Sequence, residues 1–502
     1  MSVIPSPNPF IHGLLPHEGE SPQERTRREQ EEARAKAVSD AIDEQIKQDK
    51  VAFKRYQKAV KILLLGQSES GKSTTIKNFQ LKYAYSAWIR ERSSWKVIIH
   101  LNLIRSVTTI LEVMNRVMKE QHDRLQRQQR SLSPSRSYRS GTALLPSQDR
   151  ELSDDDTRDV VFNFSDKHKL LQLQLQPLTR VQRDLENFLG SAAFEPDQVA
   201  TTGNIAFPSP DAKSSRPLRR YTEFSVSVYN PWKNRLSGKE GSKRLLEKKS
   251  SQDLHDATEI IYRCGSDIKQ LWADGVVQQV LKGTKARLEH SSGFFMDDID
   301  RVVARDYEPS DQDVIKARLR TVGVQEYHFS IPGGTGHDDW ILYDVGGSRA
   351  SRNAWASYFD NINSVIFLAP VSCFDQRLAE DTSVNRLEDS LLIWKYICNS
   401  KLLTNIQLIL FLNKIDLLEE KLGSGVRFDK YVVNYGKHPN DVPSVTSFLK
   451  QQFKAMLRNS GNQRVFYCYL TSAADTKAMA TTLATVYDGI IRDALDRAQF
   501  LM

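Results

Sequence analysis

The chain has 502 residues, 40% of them hydrophobic, and a net charge of +8. That length accommodates two or three domains with real cores, and the charge is too modest at this size to argue for nucleic-acid binding. Four cysteines, Cys264, Cys373, Cys398 and Cys468, lack metal or redox spacing, which argues against a disulfide framework and suits a reducing, intracellular compartment.

Residues 1–21 are expected to be disordered. They lack the charged and apolar regions of a signal peptide. No uninterrupted apolar run approaches the roughly 18 residues of a membrane span. Residues 22–57 read as a polar helix with a thin apolar stripe, Val38, Ile42 and Ile46, at four-residue steps. The stripe suits a docked partner or the protein's own body equally well. Next comes KILLLGQSESGKST (61–74): a short apolar strand, a loop, and the start of a helix. The G-x-x-x-x-G-K-S spacing from Gly66 to Ser73 is that of a phosphate-binding P-loop, in the strand–loop–helix context that motif requires. Backbone N–H groups of such a loop surround phosphate oxygens, and the helix N-terminus adds partial positive charge. Lys72 is placed to reach β- and γ-phosphates, and the Ser73 hydroxyl to bind Mg²⁺.

Between 81 and 317 the strand signals vanish. Residues 95–118 and 257–281 read as long helices, so a mostly helical domain is predicted to interrupt the sheet. Within it, 121–252 contains RSLSPSRSYRSG, ELSDDD and PWKNRLSGKEGSKRLLEKKS. Such stretches bury too little apolar surface to offset ordering entropy, so this insertion is predicted to be largely disordered. One Leu-rich island, 169–190, reads as a helix. The Ser-Arg and Lys-rich pieces suit RNA, an acidic membrane, or simply a solvated loop that is phosphorylated.

Strand-like runs then alternate with helical patterns at 325–330, 339–343, 364–370, 407–412 and 465–470, as at 61–66. This alternation predicts an α/β fold, a mostly parallel sheet covered by helices. One run ends in YDVGG (343–347). Asp344 is placed to hold Mg²⁺ through water and Gly347 to touch a γ-phosphate; an ordinary turn aspartate is the alternative. Another ends in Asn413-Lys414-Ile415-Asp416. A carboxylate at that strand end accepts hydrogen bonds from guanine N1 and N2, a donor pair adenine lacks, so the site would select GTP over ATP.

Taken together, these strings resemble the α subunit of heterotrimeric G proteins, fungal members in particular, over about 40–120 and 255–502. IDEQIKQD (42–49) is similar to the amino-terminal helix that meets the βγ dimer. FFMDDIDRVVARDYEPSDQDVIKARLRTVGV (294–324) is similar to the end of the helical domain and switch I. DVGGSR is similar to switch II, DQRLAEDTSVNRLEDSLLIWKYICNSKLL (375–403) to switch III and the helix after it, and TSAADT (471–476) to a guanine-binding loop. The resemblance implies a Ras-like P-loop GTPase domain (58–80 and 318–502) with an inserted all-α domain (81–317) that clamps the nucleotide.

It also implies roles. Glu69, Ser70, Gly71, Lys72, Ser73 and Thr74 would line the phosphates, with Gly346 and Gly347 opposite. Arg318 would be a built-in arginine finger, paired with Glu69 in the GDP state; a surface arginine in KARLR is the bland alternative. Ser73 and Thr321 would bind Mg²⁺ directly and Asp344 through water. Ile315, Lys316 and Ala317 would lie along the nucleotide, with Ser291 approaching from the helical domain. Asn413, Lys414, Asp416 and the Ala473 N–H would read guanine. Implied partners are the βγ dimer, a G-protein-coupled receptor at the last helix and an unknown effector, with no nucleic acid.

Several positions depart from the family pattern. Ser348 stands where the family has the glutamine that orients the attacking water, and Ser68 replaces a glycine, so slow hydrolysis is expected. Gln67 lies nearby as a substitute. Ser351, Asn353 and Ala354 replace charged switch II residues, while Arg352 and Trp355 remain. The Met-Ser start predicts no N-myristoylation, and no cysteine precedes Cys264 for palmitoylation. The expected location is cytoplasmic, reaching the cytoplasmic face of the plasma membrane through partners. Three readings remain: a receptor-coupled GTP/GDP switch with slow GTPase activity, a non-hydrolysing GTP-binding scaffold, and an RNA- or membrane-binding protein led by the insertion.

Overall fold

The computed structural model describes residues 21–131, 162–189, 225–226, 244–284, 288, 293–321, 324–331, 339–378, 380–461 and 464–499. They fall into two compact units. The first contains α1 (Pro22–Lys58), a single helix on which Val38, Ile42 and Ile46 are exposed. The second contains the described residues from Lys61 to Ile331 and from Trp340 onward.

The second unit is organised by a six-stranded sheet: β1 (Val60–Leu65), β2 (Val324–Ser330), β3 (Asp339–Val345), β4 (Ser364–Pro370), β5 (Gln407–Asn413) and β6 (Tyr467–Thr471). The order is β2-β3-β1-β4-β5-β6, mixed and mostly parallel. β1, β4, β5 and β6 run parallel, with Leu63 beside Val365, Ile366 beside Ile409 and Leu412 beside Leu470. β1, β4 and β5 are buried along their whole length. Strands covered on both faces need uninterrupted apolar runs, and these are the runs that the sequence shows.

Helices fill the connections. α2 (Lys72–Tyr83), α3 (Tyr85–Arg92), α4 (Lys96–Ser131), α5 (Asp166–Gln174), α6 (Pro177–Phe188), α7 (Arg244–Ala273), α8 (Gly275–Gly283), α9 (Ile299–Val302) and α10 (Asp311–Lys316) lie between β1 and β2. α11 (Arg386–Asn399), α12 (Ile415–Gly423), α13 (Val442–Asn459) and α14 (Thr476–Gln499) follow later strands. The predicted helix 257–281 is two helices. Asp274 ends the first and caps the second by accepting from Val276 and Val277 N–H.

The insertion 121–252, expected to be largely disordered, contains a folded piece. α5 and α6 pack on α4 and α7, and Leu171, Leu175, Leu178, Val181, Leu185 and Leu189 are buried. Pro177 at the first helical position separates the two helices. The island 169–190 expected as one helix is thus two, within an otherwise polar insertion. The rest of that insertion, apart from 121–131, 225–226 and 244–252, lies outside the described residues.

Against the expectation of no apolar stretch of spanning length, Tyr85–Arg127 is by length and composition apolar enough to cross a membrane. Within the fold, 67% of its most apolar window is buried. α6 and α8 cover that face, so the helix is the core of the helical region.

Candidate nucleotide site

β1 ends at Leu65 and the chain turns through a loop into α2. Gly71 sits in the left-handed region at φ +101°, and a Cβ there would collide with the side chain of Asn413 at the end of β5. Glu69 also takes φ +62°, unusual for a residue with a side chain and common at ligand clamps. The Lys72 ammonium is buried and donates to Gly66 O and Gln67 O, both at 2.8 Å. Burial pushes its pKa down to about 8, against the opposing pull of Asp344. Within the same loop, the buried Ser70 Oγ has no hydrogen-bond partner among the described residues. A buried amine over a loop of backbone amides, beside an unpaired hydroxyl, is an arrangement completed by phosphate oxygens.

Ser73 Oγ donates to Asp344 Oδ2 at 2.6 Å, and Asp344 is fully buried at the end of β3. Among the described residues no three His, Cys, Asp or Glu side chains group to hold a metal. A hydroxyl and a carboxylate side by side are hard oxygen donors. They fit Mg²⁺ held partly by phosphates, not a cation caged by protein alone. Thr321 lies in a two-residue pairing with Val226; its side chain is outside the described residues.

Asn413 joins the loop to the turn after β6. Its Nδ2 donates to Ser70 O at 2.7 Å, and its Oδ1 accepts from Thr471 Oγ1 at 3.1 Å and from Ala473 N–H at 3.2 Å. Asn78, on α2, donates to Ala473 O at 3.0 Å. Lys414 holds a left-handed φ of +66°, and burial lowers its pKa. Asp416 is exposed in the first turn of α12.

At the opposite corner, Arg318 Nη2 lies 2.6 Å from Glu69 Oε1. The other Glu69 oxygen is 3.1 Å from Arg386 Nη1 at the start of α11. Burial opposes ionisation of Glu69, yet the guanidinium groups of Arg318 and Arg386 hold its pKa down to about 2. Arg386 Nη2 also donates to Ser68 O at 2.8 Å. Gln67 is turned into α11: its Nε2 donates to Ser390 Oγ at 2.6 Å and to Arg386 O. That bonding corrects the expectation that Gln67 stands in for the missing glutamine, because its amide is engaged behind the loop.

Ser348 begins the 3-10 segment Arg349–Tyr358. Its Oγ is 2.6 Å from Ser351 Oγ, and Ser351 Oγ donates to Ser348 O at 2.9 Å. Ser68 N–H donates to Gly347 O at 3.2 Å, and a Cβ on Gly347 would collide with the Gln67–Ser68 peptide. Gly346 O accepts from buried Trp355 Nε1 at 3.0 Å. Arg352 makes a two-pronged pair with buried Asp389 on α11, at 2.9 and 2.6 Å.

Of the remaining expected contacts, Thr74 offers its carbonyl to Asn78 Nδ2 at 2.9 Å. Ile315 and Ala317 are buried in the helical core, and Lys316 Nζ pairs with Asp298 at 2.8 Å. Ser291 lies outside the described residues. Sequence reading passed over Arg386 and Asn102, whose partners Glu69 and Arg318 lie 317 and 216 positions away, and Asp389, whose partner Arg352 lies 37 away; no local spacing marks them.

The G-protein alpha subunit family model matches residues 36–490. The "Guanine nucleotide-binding protein alpha-4 subunit" of Mycosarcoma maydis is 31% identical, over 99% of this chain and 96% of that protein. The "Guanine nucleotide-binding protein alpha-2 subunit" of Neurospora crassa is 27% identical over 90% and 92%. A "Guanine nucleotide-binding protein G(o) subunit alpha" of Geodia cydonium is 27% identical over 94% and 98%. With nearly the whole chain matched, and with the P-loop, the Asn413 corner and the Asp344 turn joined at one end of the sheet, the chain belongs to the G-protein alpha subunit family.

Proposed function

We propose that this chain is a guanine-nucleotide switch that holds GTP and hydrolyses it slowly. Members of its family are GTP-binding signalling proteins and GTPases, generally with Mg²⁺. In this reading Lys72, Ser70 and the loop amides bind the phosphates, and Asn413, Lys414, Asp416 and the Ala473 N–H receive guanine. Ser73, Asp344 and Thr321 hold Mg²⁺, which when bound offsets charge on the phosphate oxygens.

Arg318 supplies the charge that stabilises the breaking γ-phosphate bond, and Glu69 stores its guanidinium until then. Arg386 stays on Glu69 when Arg318 leaves, so the carboxylate is never stranded without a cation. The observation that carries slow hydrolysis is Ser348, whose hydroxyl is short and bonded to Ser351 Oγ at 2.6 Å. It leaves the attacking water without an amide to orient it. The rate known for family members with a built-in arginine is roughly 10⁻² s⁻¹; this chain is expected to be about ten- to a hundredfold slower, a few kcal/mol in barrier.

The test is single-turnover phosphate release from GTP-loaded protein, started with Mg²⁺, beside Ser348→Gln. Slow release that the substitution speeds supports the switch. Release at the family rate from the native chain sinks the slow-hydrolysis reading. No release from either protein favours the non-hydrolysing scaffold, a reading supported by Ser348 and Ser68.

The exposed Val38, Ile42 and Ile46 row on α1 supports the βγ dimer as a partner. The receptor is assigned to α14, and location at the cytoplasmic face of the plasma membrane follows from those partners.

A further inference from the structure

A long side chain such as that of Arg318 is aimed only if its backbone is fixed. Asn102, on α4 of the helical region, holds that backbone from both sides. Its Oδ1 accepts from Arg318 N–H at 2.7 Å, and its Nδ2 donates to Arg318 O at 3.0 Å. The carboxamide thus pairs with Arg318 as a neighbouring strand would. Asn102 is only 6% exposed, so water competes poorly for either bond. Gly293 makes the close approach possible. It sits at φ +82° and donates to Lys316 O at 2.9 Å, and a Cβ there would lie 2.7 Å from Asn102 Oδ1 and 2.9 Å from Arg318 Cβ. Just upstream, Lys77 Nζ donates to Val314 O at 2.8 Å and Ala317 O at 2.6 Å, tying the same stretch to α2.

We propose that Asn102 is a positioning residue for Arg318, fixing the backbone from which the guanidinium moves between Glu69 and the γ-phosphate. The inference rests on the role given to Arg318 above. Asn102 acts through Arg318, and its side-chain bonds reach neither the P-loop nor the purine corner. Its loss therefore changes the hydrolysis rate more than nucleotide affinity.

The experiment uses the full chain, with Asn102→Ala, Arg318→Ala and the double variant, in single-turnover phosphate release from GTP. Affinity for a non-hydrolysable GTP analogue is measured beside it. Asn102→Ala is expected to slow release by roughly tenfold, the scale of a catalytic group moved by a fraction of an ångström. Affinity should change by no more than about twofold, and adding Asn102→Ala to Arg318→Ala should slow release no further. Asn102→Asp keeps the acceptor for Arg318 N–H but sets a carboxylate oxygen against Arg318 O in a buried position, so release should slow at least as much as in Asn102→Ala. Hydrogen exchange of the GDP-loaded protein should show the Arg318 amide exchanging faster in Asn102→Ala.

Additive slowing in the double variant overturns the proposal, since the damage is then general. Unchanged exchange at the Arg318 amide also overturns it, whatever the rates. If Arg318→Ala slows release and Asn102→Ala does not, this inference fails alone. If Arg318→Ala leaves the rate unchanged, the role of Arg318 fails and takes this one with it.

Discussion

At the purine end of the site, Asn413 bonds to the P-loop through Ser70 O and to the β6 turn through Thr471 and Ala473. One side chain there joins three segments. At the corner that holds Arg318, Ser348 Oγ reaches Ser351 among the described residues, and Gln67 is turned into α11. In the proposed reading, the binding end has Lys72, Ser73, Asp344 and Asn413 each held by hydrogen bonds among the described residues, while the other corner has Arg318 on Glu69 and a serine, Ser348, in place of a glutamine. In that reading affinity and turnover are separable: a fold can retain a ligand with fixed donors while a single short side chain slows the chemistry.

That contrast can be broken, and the largest effect lies at the binding end. Lys72→Ala should weaken GTP-analogue binding roughly a thousandfold, because it removes a buried charge from the phosphates. A loss below about tenfold in direct titration would mean the loop amides alone supply the grip. Asp416→Ala should reduce the preference for guanine over adenine nucleotides by roughly a hundredfold, the scale of charged hydrogen bonds lost from one base edge. Competition between GTP and ATP reads this directly, and an unchanged ratio would place purine selection elsewhere.

At the cutting end, Ser348→Gln should raise single-turnover release by about ten- to a hundredfold with affinity flat. A matching change in affinity would show that the two ends are coupled. The smallest effect is in pH. In the free site burial lowers the Lys72 pKa to about 8, so the amine is cationic below that value. Binding a polyanion raises it, so the bound state holds the proton more tightly. GTP affinity should then be level below about pH 8 and fall by up to about tenfold per unit above it. Titrations on both sides of that value test the sign; affinity that rises with pH contradicts a protonated Lys72 in the complex.

The strands were legible because a buried strand is its own record: the apolar runs at 61–66, 364–370 and 407–412 each became one, 364–370 with the same bounds and the other two within a residue. The P-loop and the Asn413–Asp416 string were legible because their chemistry is local and their spacing is short. The Leu-rich island 169–190 was legible as helix, but its division into α5 and α6 at Pro177 was not read. The division of 257–281 into two helices turned on one capping carboxylate, Asp274, that periodicity does not register.

By itself, then, the amino-acid order determined the two local motifs: the strand, glycine-rich turn and lysine of one, and the strand-end carboxylate of the other, each follow from neighbours within a dozen residues. Tertiary structure alone decided how the cutting corner is held. Arg386 meets Glu69 across 317 positions, and Asn102 meets Arg318 across 216. It also decided that Gln67 faces α11 and not the phosphates. Nothing in local spacing encodes such pairs, because they exist only once the sheet and the helical region have brought distant segments together and excluded the water that would otherwise satisfy them.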